Sequence, residues 1–226
     1  MPASDAQSNA ITPEMLLRAY AAGLFPMAED ADDDDLHWYD PKRRGIFPLD
    51  GLMVARSLGK AIKAEKFEIR VDHDFFGVLA GCAESKPGRE KTWINGRIAQ
   101  LYGELFNRRF VHTVEAWRDG ALVGGLYGVA LNGGFFGESM FHRATDASKI
   151  CLTYLVARLN RGGFTLLDTQ FITPHLASLG AVEITRVDYR QRLRNALQTP
   201  ADFTALDREQ AAPERILALA RGVVEK

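Results

Sequence analysis

The chain has 226 residues, of which 46% are hydrophobic and 25% charged, a composition typical of a globular protein large enough to bury a core. Its 28 basic and 29 acidic side chains give a formal net charge of −1. This balance argues against a protein that coats nucleic acid without sequence preference, because such binding needs a surplus of Lys and Arg.

Several other classes of protein are not indicated. The first residues contain no basic segment followed by an apolar one, and no later stretch has 18 apolar residues in a row, so a cytoplasmic protein that makes no membrane contact is expected. The two cysteines, Cys82 and Cys151, have no Cys or His at ligand spacing. Neither a disulfide framework nor a metal site is therefore predicted.

The first part of the chain combines one short helix with an irregular stretch. Thr12 is suited to cap a helix that ends at Gly23. Three prolines and the acidic run 29–35 follow, which is typical of a loop or a small appended domain. We therefore predict a small N-terminal domain over residues 1–47 and a larger domain over residues 48–226, which ends in a helical tail.

Basic residues dominate the stretch 42–70, in which eight Lys and Arg residues stand against three acidic ones, a local excess of five (8 − 3). Such an excess favours a positively charged face on a protein that is neutral as a whole. An ordinary solvated helix surface is the alternative. The eight residues are Lys42, Arg43, Arg44, Arg56, Lys60, Lys63, Lys66 and Arg70.

The remaining pattern predicts three antiparallel strands followed by alternating helices and strands. Strong turn signals at 119–120 and 132–133 connect the first three strands. The predicted strands are 111–117, 122–131, 135–141, 164–170 and 181–185, and the predicted helices are 96–109, 145–161, 174–179, 189–197 and 214–224. This order indicates an α+β, or mixed α/β, fold with helices packed on one central sheet, as in the acyl-CoA-dependent N-acetyltransferase (GNAT-like) fold.

Three polar residues on predicted strands are candidates for chemistry. Period-two alternation places Glu138 on one face with Phe136 and Met140, opposite a face that carries Phe135 and Phe141, so its carboxylate is costly unless it meets a cation such as an amine. A bulge that leaves Glu138 in solvent is the alternative.

Asp168 and Gln170 are two residues apart on a predicted interior strand, so both project from one face. A carboxylate beside a carboxamide can hold and orient an incoming amine, although Gln has no pKa that would make it a conventional base. A purely structural hydrogen-bond network is the alternative.

Several short motifs occur together in the chain. GESMF at 137–141, D-x-Q at 168–170 and HxxSLGA at 175–181 are far more specific in combination than any one of them alone. Further segments of the same pattern are 19–27, 38–41 with Arg44, 92–94, 122–128 and 147–149. On these segments the chain resembles the bacterial leucyl/phenylalanyl-tRNA-protein transferase family.

The resemblance implies an activity and a set of partners. The activity is transfer of Leu or Phe, and less readily Met, from aminoacyl-tRNA to the α-amine of proteins with N-terminal Arg or Lys, which marks them for N-degron degradation. The implied fold is a small N-terminal domain joined to an acetyltransferase-like domain. No metal and no dissociable coenzyme is implied, since the tRNA ester is itself the acyl donor, and a monomer is expected.

The resemblance also implies roles for individual residues. Glu138 resembles the residue that holds the α-amino group of the aminoacyl moiety, and Asp168 and Gln170 resemble the pair that polarises the acceptor amine. The implied pocket for the aminoacyl side chain consists of Phe135, Met140, Leu152, Leu155 and Leu167. Trp93, Tyr102 and Met27 are implied near the 3′-terminal adenosine, and Arg56, Lys60 and Lys63 are the candidates for contacts with the tRNA backbone.

Two other functions are weighed against this one. A CoA-dependent N-acetyltransferase would need a glycine-rich, basic loop before the long helix, whereas residues 142–148 contain one Arg and no Gly. A noncatalytic protein that binds the end of tRNA would explain the basic stretch, but it would not explain Asp168 and Gln170 beside an apolar pocket.

Overall fold

The computed structural model describes residues 11–27, 36–84, 92, 94–207 and 212–223. The acidic run 29–35 and Trp93 lie outside these residues. The strands are β1 (Phe25–Met27), β2 (His37–Tyr39), β3 (Arg43–Ile46), β4 (Glu68–Val71), β5 (Val111–Arg118), β6 (Ala121–Leu131), β7 (Gly134–His142), β8 (Leu166–Gln170) and β9 (Val182–Thr185). The helices are α1 (Pro13–Ala21), α2 (Arg56–Lys63), α3 (Phe75–Ala83), α4 (Gly96–Asn107), α5 (Ala147–Arg161), α6 (Pro174–Ser178), α7 (Arg186–Gln198) and α8 (Pro213–Leu219).

Seven of these strands form one mixed sheet in the order β4-β5-β6-β7-β8-β3-β9, and β1 and β2 form a separate antiparallel pair. The predicted meander β5-β6-β7 is confirmed, with Asp119 and Asn132 both at positive φ in its turns. β7 and β8 are the one parallel pair among the pairings described. The mixed α/β fold that the sequence predicts is therefore confirmed.

Strand β3 differs from the sequence prediction, which had a loop or small appended domain here. It lies inside the large sheet, antiparallel to both β8 and β9. Gly45 allows this position, because a Cβ there would come within 3.0 Å of the backbone of Phe171 and Ile172. The division into units 1–47 and 48–226 stays a prediction, and the first unit would contribute a strand to the sheet of the second.

Two hydrophobic clusters cover the faces of the sheet. Helix α5 is the centre of one cluster, which also contains residues of α2 and α8. The other cluster contains residues of α1, α3, α4 and α7. The elements α2, β4 and α3 have no counterpart among the sequence predictions, and no side-chain capping bond marks the start of α2, whose N-cap is Ala55. None of the helices described is both long and apolar enough to cross a membrane.

Candidate active site

The parallel strands β7 and β8 separate in the middle of the sheet, and two cavities open there. Their pairing ends at Phe136 and Asp168, although both strands continue. A cavity of about 210 Å³ is lined by residues of both strands beyond this point, and a second cavity of about 140 Å³ lies beside β1. Both cavities are lined by Glu138, Thr169 and Gln170. A group held at these three residues is therefore accessible from two sides.

The larger cavity has a mainly apolar wall. Four of the five residues predicted for the aminoacyl side chain line it, namely Met140, Leu152, Leu155 and Leu167. The sequence prediction missed other lining residues: Leu126, Tyr127, Gly137, Ser139, Thr173 and Leu176. The two on β6, Leu126 and Tyr127, are consecutive and belong to different core clusters, so strand alternation does not predict that both line one cavity; only the fold shows it.

Phe135, the fifth predicted residue, is not at the cavity. Its side chain is fully buried, and its ring packs on those of Phe203, at 5.6 Å between centroids, and Phe164. The prediction of Phe135 as a pocket residue is therefore corrected, because other aromatic rings cover its side chain.

Strand β7 has a bulge at Glu138. Pairing with β6 passes from Ser139 opposite Tyr127 to Gly137 opposite Gly128, so Glu138 is the extra residue. The bulge reverses the alternation of faces, and Phe135 and Phe141 consequently lie in different core clusters. The predicted common face for these two residues is wrong for this reason.

The carboxylate of Glu138 is not left in solvent by the bulge. Its Oε1 accepts a hydrogen bond from the hydroxyl of Tyr20 at 2.7 Å, and its Oε2 accepts one from the hydroxyl of Tyr102 at 3.1 Å. Burial raises the pKa of Glu138 to about 7, while the two hydroxyls act in the opposite direction. A carboxylate held by fixed donors, half-buried and bordering both cavities, is suited to bind a cationic group such as an ammonium.

The three residues predicted near the tRNA end have different positions. Met27 lines the smaller cavity. Tyr102 is fully buried, so its ring offers no surface to a nucleotide, and its hydroxyl donates to Glu138; its place near the tRNA end stays a prediction. Trp93 lies outside the described residues, and its role stays a prediction.

Asp168 is buried and lines neither cavity, and it lies in a hydrogen-bond network whose partners the sequence did not predict. Arg44 donates to it twice, from Nε to Oδ1 at 2.9 Å and from Nη2 to Oδ2 at 2.5 Å, and the hydroxyl of Tyr189 donates to Oδ2 at 2.7 Å. Burial disfavours the charge of Arg44, but its bonds and closeness to Asp168 outweigh this and raise the pKa of the guanidinium. Asp168 therefore touches the cavities only through its neighbours.

Gln170 connects this network to the cavities. Its backbone N–H donates to Oδ1 of Asp168 at 2.9 Å, and its φ of 56° lies in the left-handed region, which is strained for a residue with a side chain. Nε2 of Gln170 and Oγ1 of Thr169 are buried and have no hydrogen-bond partner among the described residues. Strain and unsatisfied polar atoms at one point indicate a site built to meet a ligand.

Arg44 is the residue that the sequence predictions placed least well. It was counted in the basic stretch, but its side chain is only 1% exposed, and the guanidinium lies 4.4 Å from the ring centroids of both Phe25 and Tyr189. Its Nη1 also donates to the carbonyl of Gly23 at 3.1 Å. Its place between Arg43 and Gly45 gives no local signal of this burial, because the partners of its side chain are distant in the chain.

The candidates for tRNA backbone contacts lie on α2. Arg56, Lys60 and Lys63 are all exposed, and Lys63 has a surface ion pair at 3.5 Å with Glu214. Their function stays a prediction. Within the part of the chain that is described, no three His, Cys, Asp or Glu residues are placed to hold a metal ion.

Comparison with known proteins shows the family of the chain. Residues 46–194 match the model of the family described as leucyl/phenylalanyl-tRNA protein transferase, and residues 9–42 match its N-terminal domain. Proteins named leucyl/phenylalanyl-tRNA–protein transferase are similar over nearly the whole chain. The one from Afipia carboxidovorans is 53% identical over 98% of both chains, and one from Rhodopseudomonas palustris is 54% identical over 98% of this chain and 97% of its own. One from a Ruegeria species is 58% identical over 85% of this chain and 90% of its own. The chain belongs to the leucyl/phenylalanyl-tRNA–protein transferase family, whose members are aminoacyl-tRNA transferases.

Proposed function

We propose that this enzyme transfers Leu or Phe, and less readily Met, from aminoacyl-tRNA to the α-amine of proteins that begin with Arg or Lys, and thereby marks them for N-degron degradation. The observation that carries the proposal is the pair of cavities that meet at Glu138 and Gln170. We also propose that it acts in the cytoplasm as a monomer.

The larger cavity supports the choice of donor side chain. An apolar cavity of about 150 Å³ is enough to bind benzene, so a cavity of about 210 Å³ is large enough for the side chain of Leu or Phe. Burying such a side chain contributes about 1.5–3 kcal/mol, which Ala or Gly would not supply. Met140 in the wall is flexible, which favours acceptance of side chains that differ in shape.

The ammonium group of the aminoacyl moiety would bind Glu138. This places the ester carbon at the junction of the cavities, next to Gln170. The acceptor amine then attacks that carbon: the new C–N bond forms, the C–O bond to the ribose breaks, and the ribose oxygen leaves with a proton derived from the amine. The enzyme contributes by orientation and electrostatics, because the ester is already activated and Gln170 has no titratable group.

Gln170 and Asp168 divide this task. The unpaired amide of Gln170 faces the junction, where it would orient the acceptor amine or the ester oxygen. Asp168 would act one step back, by fixing the backbone of Gln170 and giving the amide a negatively charged neighbour. The 3′-terminal adenosine would lie beside Met27 and Trp93, and the phosphates of the tRNA would contact Arg56, Lys60 and Lys63.

A transfer assay tests the proposal. Purified protein is incubated with tRNA charged with labelled Leu, Phe, Met or Ala, and with matched peptides that begin with Arg, Lys or Glu, in the absence of acetyl-CoA. Transfer of Leu and Phe to the Arg and Lys peptides is expected. No transfer from intact charged tRNA, equal use of the Glu peptide, or a requirement for acetyl-CoA would contradict it.

A further inference from the structure

The smaller cavity has a side wall that no predicted role uses. Phe171 follows the strained Gln170 directly, and its side chain is 45% exposed, although it lines the cavity together with Met27 and Pro26. Large aromatic residues are normally buried, and an exposed one in a concave site is frequently there for binding.

The ring of Phe171 is held in place from one side. It meets the ring of Phe25 edge to face, with 5.5 Å between centroids and 81° between planes. Phe25 itself is 2% exposed, because Tyr39 stacks on it and the guanidinium of Arg44 lies over its ring. Phe25 therefore serves as a fixed support, while Phe171 keeps an open aromatic surface.

Backbone geometry gives Phe171 this orientation. The left-handed conformation of Gln170 turns the chain at the end of β8, so that Gln170 and Phe171 line the same cavity. In a regular strand, consecutive side chains would point to opposite faces. Gly45 lets the turn pack closely against β3, since a Cβ there would lie 3.0 Å from the carbonyl carbon of Phe171. The position of the Phe171 ring is thus fixed by the same turn that places Gln170 at the end of β8.

The donor ester indicates what lies in this cavity. With the acyl side chain in the larger cavity and the ester at Glu138 and Gln170, the alcohol part of the ester must continue into the smaller cavity, since it shares these residues. The alcohol part of an aminoacyl-tRNA is a ribose that carries a flat base. An acceptor with a cationic first side chain fits less well, because Glu138 is the one carboxylate among the described residues that line this cavity.

We propose that Phe171 is the residue on which the terminal base of the donor tRNA stacks. This inference rests on the proposed function and specifies how its donor is held. A base and an aromatic ring attract each other through their faces whichever base is present, and such contacts typically contribute about 1–3 kcal/mol per base. Phe171 thereby positions the ester by holding the nucleoside attached to it.

A substrate-truncation experiment tests the proposal. Two donors are compared, the phenylalanyl ester of adenosine and the phenylalanyl ester of 1-deoxyribose, which lacks the base. Each is used with wild type, Phe171→Ala, Phe171→Leu and Phe171→Tyr. Phe76→Ala serves as the control, because Phe76 is a 63% exposed phenylalanine on α3 that lines neither cavity. The Leu variant keeps apolar volume if the Ala variant folds poorly, and the Tyr variant keeps the ring.

For the adenosine ester we expect a KM about tenfold higher in the Ala and Leu variants, at the low end of the range for stacking, with kcat changed less than about twofold. For the ester without a base we expect no change, and the Tyr variant and the Phe76 control should behave as wild type. An equal loss with both donors, no loss with either, or a loss confined to the KM of the acceptor peptide would overturn the proposal.

Wild-type activity with intact charged tRNA is measured alongside. If it is absent, the proposed function fails and this inference fails with it. If it is present and the Phe171 variants respond in one of the contradicting ways, the inference alone fails.

Discussion

The ion pair between Arg44 and Asp168 is a point where stability and catalysis can be separated by mutation. The two side chains are 1% and 0% exposed. In Arg44→Met the carboxylate keeps the bonds from Tyr189 and the Gln170 N–H, but it loses the two guanidinium bonds at 2.9 and 2.5 Å. Removing one partner of a buried pair typically costs about 3–5 kcal/mol. We expect Arg44→Met to lower the free energy of unfolding by about 4 kcal/mol and to lower the rate of transfer about 100-fold or more.

A double variant, Arg44→Met with Asp168→Asn, removes both charges. The amide introduced at position 168 can still accept from the Gln170 N–H, and its NH₂ can donate to the hydroxyl oxygen of Tyr189. The remaining losses are the bond to the carbonyl of Gly23 and the contacts of the guanidinium with the rings of Phe25 and Tyr189, which the Met side chain replaces in part, so the free energy of unfolding should return to within about 1–2 kcal/mol of wild type. Transfer should stay about 100-fold or more below wild type, because an oriented charge beside the reacting groups is missing.

The measurements are urea unfolding and transfer of labelled Phe to an Arg peptide, made on wild type, both single variants and the double variant. Arg158→Met is the matched control, since Arg158 is also buried but donates to the carbonyls of Phe203 and Leu206. It should lose stability while its folded fraction keeps kcat. A double variant that regains both stability and transfer would show that the pair is structural only, and an unchanged stability in Arg44→Met would refute the electrostatic reasoning.

Three further outcomes are expected. Glu138→Gln should lower donor kcat/KM at least about 100-fold. It should also raise the free energy of unfolding by about 2–3 kcal/mol at pH 8 but not at pH 4. The reason is that the pKa of Glu138 is about 7 in the folded protein and lower in the unfolded chain, so the stability that the protonated group gives is lost as the pH rises through 7. Leu155→Phe should narrow the larger cavity and shift donor preference from Phe to Leu by about tenfold in kcat/KM. The double variant Lys60→Glu, Lys63→Glu should weaken tRNA binding and reduce the slope of log K against log salt concentration by about one per lost phosphate contact. Arg192→Glu on α7 should change neither. An unchanged slope in the double variant would show that α2 is an ordinary solvated surface.

The parts of the fold that the sequence predicted correctly are those with local signals. The β5-β6-β7 meander is marked by turns in which Asp119 and Asn132 adopt positive φ, and α5 ends, as expected, at Arg161, followed by Gly162 as its C-cap. Strand β3 gives no such signal, because its neighbours β8 and β9 come more than 120 residues later in the chain. Pairing at that separation is decided by the packing of the whole sheet.

For the site, as for the fold, the sequence predicted the residues with local signals and missed the distant partners. Glu138, Asp168 and Gln170 stood out because polar groups on apolar strands need partners. The partners themselves could not be predicted: Arg44 looks like part of a basic surface, and Tyr20 like an ordinary residue of an amphipathic helix. The bulge at Glu138 adds one residue to β7, and every prediction about the faces of that strand beyond it is reversed.

The two carboxylates of the site are coupled through Arg44, which leads to a prediction about pH. The pKa of Glu138 is raised to about 7, mainly by burial; the charge of Asp168 contributes to this rise, and the charge of Arg44 opposes it. In Arg44→Met the pKa of Glu138 should therefore lie above 7, so that donor kcat/KM, which needs the carboxylate, begins to rise only at higher pH. In Asp168→Asn the rising limb of this pH profile of donor kcat/KM should move to lower pH. A loss of stability alone would not move the limb in opposite directions in two variants of one ion pair. Donor kcat/KM measured from about pH 5.5 to pH 9, corrected for spontaneous ester hydrolysis, decides this, and shifts of the same sign in both variants would contradict the coupling.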